Sequence, residues 1–94
     1  MPNTYHFYIL KCSDDSYYAG ITGNIDSRLM AHNSGKASPY TSIRRPVQLV
    51  YHERFGDFES AVRRERQVKK WSRAKKEALM KGDLETLKEL SKGS

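Results

Sequence analysis

From Tyr5 to Cys12 the chain is β-branched, aromatic or apolar; Ser13-Asp14-Asp15-Ser16 interrupts with turn formers, and Tyr17-Tyr18-Ala19-Gly20-Ile21 resumes the strand-like composition. That pattern predicts a β-hairpin. Asn24 then suits a helix N-cap and Asp26 the first turn, with Ile25 and Leu29 on one face and Asn33 to Gly35 as a C-terminal stop. A helix of about two to three turns follows. Lys36 to Pro46, punctuated by Pro39 and Pro46, reads as a loop, and Val47-Gln48-Leu49-Val50-Tyr51-His52 as a third strand. Further on, Asp57 caps a second helix running to about Trp71, Ser72 restarts a third that ends at Gly82, and Asp83 caps a short fourth carrying Leu84, Leu87 and Leu90. The predicted order is ββαβααα. Without helical crossovers at both joints, this predicts an α+β fold with a three-stranded, mostly antiparallel sheet flanked by helices.

Length changes the picture little. A chain of 94 residues suits one domain spanning positions 1–94, with a core of about residues 5–80 and a C-terminal helical extension over 83–91. At 37% apolar residues, with three Phe, one Trp and six Tyr, it holds enough material for one modest core. Cys12 is the lone cysteine, which excludes an intramolecular disulfide framework and fits a reducing cytoplasm. Met1 to Ile9 shows no basic start followed by an apolar run, and no stretch approaches membrane-spanning length, so neither export nor embedding is expected.

Charge adds a partner. The net charge of +6 draws polyanions and speeds their encounter with the protein, so nucleic acid leads the expected partners. The same excess fits solubility alone, or passive contact with an anionic membrane surface or ribosomal RNA. Its distribution is more informative than its total.

Polar residues stand where packing alone would choose apolar ones. Arg28 and His32, four apart on the first helix, share a face beside Ile25 and Leu29. Either they flank a site, or they lie at the helix border with the Arg28 stem covering apolar surface. Ala61, Glu65 and Val68 follow helical spacing, which puts Glu65 on the inward stripe of a helix otherwise crowded with Arg63, Arg64, Arg66, Lys69 and Lys70. An inward carboxylate must be paired or hold a cation, so ion-pair partner and metal ligand stand equal. Tyr8 and Tyr18 occupy even positions of the hairpin strands, so a register pairing even with even sets both phenols on one sheet face, with Gly20 opening space beside them. Paired tyrosines in strands are more often core or cross-strand packing than chemistry, though their hydroxyls still need partners.

The ordered set of Tyr8, Tyr18-Ala19-Gly20, Arg28, His32 and Glu65 resembles the GIY-YIG nuclease domain. From Phe7 to about Lys76 the chain also resembles the compact single-domain bacterial members of the UPF0213 type, through Tyr18-Ala19-Gly20-Ile21-Thr22, His32-Asn33-Ser34-Gly35-Lys36, Arg44-Arg45-Pro46-Val47 and the run from Arg64-Glu65 to Ser72-Arg73-Ala74-Lys75-Lys76. Two departures are visible. The first tripeptide stands as His6-Phe7-Tyr8, and the asparagine many members carry beyond the glutamate is absent after Asn33.

The resemblance implies a metal-dependent phosphodiester hydrolase, DNA ahead of RNA, with Tyr8, Tyr18, Arg28, His32 and Glu65 as catalytic residues. It implies one divalent ion on Glu65, Mg²⁺ first and Mn²⁺ as substitute, its shell completed by water. Tyr8 would be the general base on the attacking water, with its phenol pKa lowered by a nearby cation; Tyr18 would orient that water or Tyr8. Arg28 would hold phosphate oxygens, and His32 would position the nucleophile or share the proton transfer. Around the site, Lys36, Arg44, Arg45, Arg63, Arg66, Lys69 and Lys70 could track a phosphate backbone, and Tyr40 could stack on a base, though each is as readily a solvated surface group. His52 and Cys12 read as structural. No zinc-spaced His and Cys cluster, glycine-rich phosphate loop or acyl-transfer triad is present, and no small-molecule cofactor is expected. Two alternatives to an enzyme remain: a non-catalytic nucleic-acid-binding module of the same fold, and an interaction domain lending its positive face to a repair or translation complex.

Overall fold

The computed structural model describes residues 4–92. Its elements are β1 (Tyr5–Lys11), β2 (Tyr17–Thr22), α1 (Ile25–Asn33), α2 (Pro39–Ser42), β3 (Gln48–Phe55), α3 (Phe58–Lys69), α4 (Arg73–Lys81) and α5 (Leu84–Lys92). The three strands form an antiparallel sheet in the order β2-β1-β3, so the fold is α+β with the ββαβααα order. The added piece is α2, one helical turn inside the stretch expected to be a loop. Ser38 caps it through its side chain and Pro39 opens it, a pairing that starts helices because proline lacks only an N–H that has no helical partner there.

The caps fall where the sequence places them. Asn24, Asp57 and Ser72 each accept from a backbone N–H of the first turn, and Gly82 ends α4 in the left-handed region at φ 70°. Each such cap stabilises its helix by about 1 kcal/mol.

Alternation along β1 divides the core. Phe7 and Ile9 face Ala19, Val68 of α3 and Leu79 of α4, while Tyr8, Leu10 and Cys12 face Ile25 and Leu29 of α1. The sheet is therefore a central layer, with α1 on one side and α3 and α4 on the other. Leu87 of α5 reaches the α3 side of this core. Phe7, Ile9 and Leu10 are fully buried, each contributing about 1.5–3 kcal/mol through removal of apolar surface from water. Asn33 anchors the end of α1 to the start of β3, with its side chain accepting from the Val47 N–H at 2.8 Å and donating to the Val47 carbonyl at 3.1 Å.

β3 runs three residues beyond the expected His52. His6 pairs with Arg54 and Tyr5 with Phe55, while a bulge between Ile9 and Leu10 absorbs one residue of β3. Its last residues alternate, with Tyr51, Glu53 and Phe55 half-buried and His52 and Arg54 exposed, so a strand ending in charges still presents one side to the protein. No helix among the described residues is long and apolar enough to cross a membrane.

Candidate active site

The expected even-to-even register holds: Tyr8 pairs with Gly20 and Leu10 with Tyr18. The Tyr8 ring lies across Gly20 so closely that a Cβ there would sit 2.5 Å from the phenol oxygen. Gly20→Ala should therefore displace the Tyr8 ring and cost on the order of 1–3 kcal/mol, the usual range for overpacking. Thermal denaturation measures the loss, and an unchanged melting temperature would mean that the ring has room to move.

That ring position delivers the Tyr8 hydroxyl to His32, 2.9 Å from Nε2. The two rings meet edge to face at 5.8 Å, and Tyr18 presents an edge-to-face contact to the same imidazole at 5.0 Å. On its other side His32 Nδ1 is 2.7 Å from the Thr41 hydroxyl. His32 is the only buried residue among those described in α1. A helix whose most buried member is a polar ring needs a reason beyond packing, because buried polar groups must be paired. Here both ring nitrogens are.

Arg28 and His32 share a helix face but not a depth. Arg28 is exposed, and with Tyr8, Leu10, Ile25, Leu29 and Leu49 it lines a narrow crevice. Its cation nevertheless reaches both partners, opposing the rise of the Tyr8 pKa and lowering that of His32. Burial is the first cause of the His32 shift, and both causes favour a neutral imidazole.

The phenol departs from expectation. Burial first, then Tyr18 and Glu65, push the Tyr8 pKa well above its ordinary value of 10, and Arg28 offsets them only partly. An apolar envelope disfavours the phenolate, so the cation beside it does not produce the lowered pKa that the resemblance implied. A base at this position must lose its proton as it gains one.

Glu65 is half-buried on α3, close enough for its charge to act on Tyr8. It also pairs with Lys69 at 3.6 Å, but Lys69 is largely exposed, and such pairs are worth little. The carboxylate is not consumed by that contact.

The surrounding basic residues divide into two groups. Arg44 and Arg45 are occupied: Arg44 binds Asp14 at 3.1 Å and the Tyr40 carbonyl at 2.9 Å, and Arg45 binds the Ser42 carbonyl at 2.8 Å and lies against Gly35. Arg44 thereby ties α2 to the β1–β2 turn, while Arg45 bonds backbone carbonyls and stays exposed. Tyr40 is exposed, with the Arg44 guanidinium 3.8 Å over its ring and Tyr18 stacked at 6.0 Å. Lys36, Arg63, Arg66, Lys69 and Lys70 are exposed. Arg64, absent from the expected set, is committed to Glu53 through two hydrogen bonds at 2.9 Å. His6, where the family has glycine, lies edge to face with the exposed His52 at 5.7 Å.

A buried tyrosine thus meets a buried histidine, and the charges of Arg28 and Glu65 act on the tyrosine. The family model described as the GIY-YIG catalytic domain matches residues 4–78. The chain belongs to the GIY-YIG family. The chain is similar to a UPF0213 protein of Bacillus pumilus, 49% identical over 75 residues, 80% of this chain and 76% of that protein. The solution structure of a UPF0213 protein from Bacillus halodurans is 44% identical, covers 83% of each chain and has a TM-score of 0.55. A solution structure of an Enterococcus faecalis protein is 36% identical, covers 84% of each chain and has a TM-score of 0.59. The GIY-YIG match ends before α5, which begins at Leu84.

Sequence reasoning missed Thr41. The signal was present in Ser38-Pro39, a capping residue followed by a proline suited to the first helical position, which sets Thr41 on a helical turn.

Proposed function

We propose that this chain is a metal-dependent nuclease that hydrolyses phosphodiester bonds in nucleic acid, DNA ahead of RNA, at one site formed by Tyr8, Tyr18, Arg28, His32 and Glu65. The observation that carries the proposal is the Tyr8 hydroxyl held 2.9 Å from Nε2 of a buried histidine whose pKa is lowered. Water attacks phosphorus as one of its protons moves to the Tyr8 oxygen and the Tyr8 proton moves to His32 Nε2. Phenolate never accumulates, so the raised Tyr8 pKa is no obstacle. Tyr18 steadies the imidazole, and the exposed Arg28 binds phosphate oxygens through its fork of donors.

Glu65 would hold the ion. Among the described residues no three His, Cys, Asp or Glu cluster as metal ligands, which fits Mg²⁺, since it keeps most of its waters and needs one or two carboxylates. When bound, the ion neutralises charge on the phosphate and on the departing 3′ oxygen. Mn²⁺ would substitute, and no small-molecule cofactor takes part. Residues of about 5–80 carry the activity, and 83–91 are a helical extension of the same domain, working in the cytoplasm. The one cysteine, Cys12, is buried and free, which fits that compartment.

Incubation of the purified protein with labelled DNA and RNA flaps, nicks, branches and single strands tests the proposal. Cleavage with Mg²⁺ or Mn²⁺ and none with chelator is expected. Binding without cleavage under every metal would support the binding-module reading, which the His6 departure and the missing asparagine favour.

Lys36, Lys69 and the outward residues of α3 form the proposed path for the phosphate backbone. Replacing Arg63, Arg66 and Lys70 by Gln should weaken binding uniformly across sequences. The slope of log affinity against log salt should fall by about 1 for each residue that contacts phosphate. An unchanged slope in an anisotropy titration would remove this surface from the path.

A further inference from the structure

We propose that Thr41 is a positioning residue: its hydroxyl fixes His32 in the tautomer that carries its proton on Nδ1, leaving Nε2 bare to receive the proton of Tyr8. The consequence for catalysis rests on the nuclease reading, whereas the tautomer does not.

Counting donors leads to this assignment. Three protons must be housed in a nearly dry space, for Tyr8 is 3% exposed, His32 1% and Thr41 0%. Thr41 Oγ1 lies 2.7 Å from His32 Nδ1 and 3.3 Å from the Ser38 carbonyl, and a carbonyl can only accept. With the proton on Nδ1, every donor has an acceptor: Tyr8 O–H gives to Nε2, Nδ1–H gives to Thr41 Oγ1, and Thr41 O–H gives to Ser38 O. With the proton on Nε2, that N–H gives to the Tyr8 oxygen and Thr41 gives to Nδ1. The Tyr8 O–H then has no acceptor among the described residues. A charged imidazole creates the same conflict, because both nitrogens would donate. Facing His32 are Tyr8, Tyr18 and the cation of Arg28, whose charge and the burial both disfavour imidazolium.

This gives α2 a role. Its single turn carries Tyr40 against Tyr18 and Thr41 against His32, so one short element braces one member of the reacting pair and the aromatic ring beside it. Setting a tautomer requires a fixed acceptor at Nδ1.

Long-range ¹H–¹⁵N correlation of the histidine rings in labelled wild-type protein reads the tautomer directly, with no activity needed. For His32 the expected result is a protonated Nδ1 and an acceptor-type Nε2; a protonated Nε2 in wild type would overturn the proposal. Thr41→Val should shift the His32 signals away from the Nδ1–H form, and Thr41→Ser should keep them. Cleavage should fall by about ten- to hundredfold in Thr41→Val with nucleic-acid affinity retained, and stay within a few-fold of wild type in Thr41→Ser. If Thr41→Val cleaves as wild type, the positioning role is lost while the nuclease reading stands. If Thr41→Val does not fold, the wild-type spectrum and Thr41→Ser still decide. A wild-type protein that cuts nothing while showing the expected spectrum would defeat the nuclease reading and leave the tautomer assignment in place.

Discussion

Tyr8→Phe should bind nucleic acid and fail to cut it. The substitution removes one oxygen and almost no volume, leaving the ring across Gly20 and the edge-to-face contact with His32. Its structural cost is the unpaired Nε2 of His32, about 1–3 kcal/mol for a buried polar group left without a partner. Loss of general-base assistance costs on the order of a hundredfold to ten-thousandfold in rate, about 3–5 kcal/mol on the barrier, so the kinetic effect is the larger of the two. The pH dependence has a definite sign. His32 must be neutral to receive the proton, and its pKa is lowered by burial and Arg28, so wild-type cleavage should persist below the ordinary imidazole value near 6.5. It should fall only as pH drops through the lowered value, and this acid limb should vanish from the residual rate of Tyr8→Phe. Single-turnover kinetics across pH measure both effects. Equal rates and matching profiles would make Tyr8 a packing residue.

Glu65→Gln should abolish metal-dependent cleavage while leaving the fold in place. Glutamine keeps the shape and removes the charge, so the structural loss is the pair with the exposed Lys69, worth less than about 1 kcal/mol. If Glu65 is the protein ligand of a cation held otherwise by water, its amide counterpart loses the charge that binds the ion. Circular dichroism and a cleavage assay with Mg²⁺ separate the outcomes. An unfolded variant would return Glu65 to the role of an ion-pair partner, and a variant as active as wild type would remove it from the site.

The fold was largely legible because each element announces itself locally. Caps at Asn24, Asp57 and Ser72, the left-handed stop at Gly82 and alternation along β1 are read from neighbours in sequence. The sequence pattern carries β3 only to His52; its charged last residues stay in the strand because β1 supplies the pairing and the half-buried Arg64 neutralises Glu53. α2 was hidden by its length, a single turn that the packing of Thr41 and Tyr40 makes worthwhile.

Depth was harder to read than position. Helical spacing set Arg28 and His32 on one face, but it could not show that one would stay in solvent and the other be fully buried. The pairing of Arg44 with Asp14 joins residues thirty apart in sequence, which no local pattern reveals. Burial of Tyr8 reversed the expected direction of its pKa for the same reason, since desolvation is a property of the assembled core.

Mapping the ends of the cleavage products on a singly labelled strand, with Mg²⁺ and with chelator, tests the central claim most directly. The account predicts 5′-phosphate and 3′-hydroxyl ends that appear with wild-type protein and Mg²⁺, and none with chelator or Glu65→Gln. Cleavage that persists in chelator and is indifferent to Glu65→Gln would contradict it, as would intact substrate in Mg²⁺ and Mn²⁺ despite saturating binding.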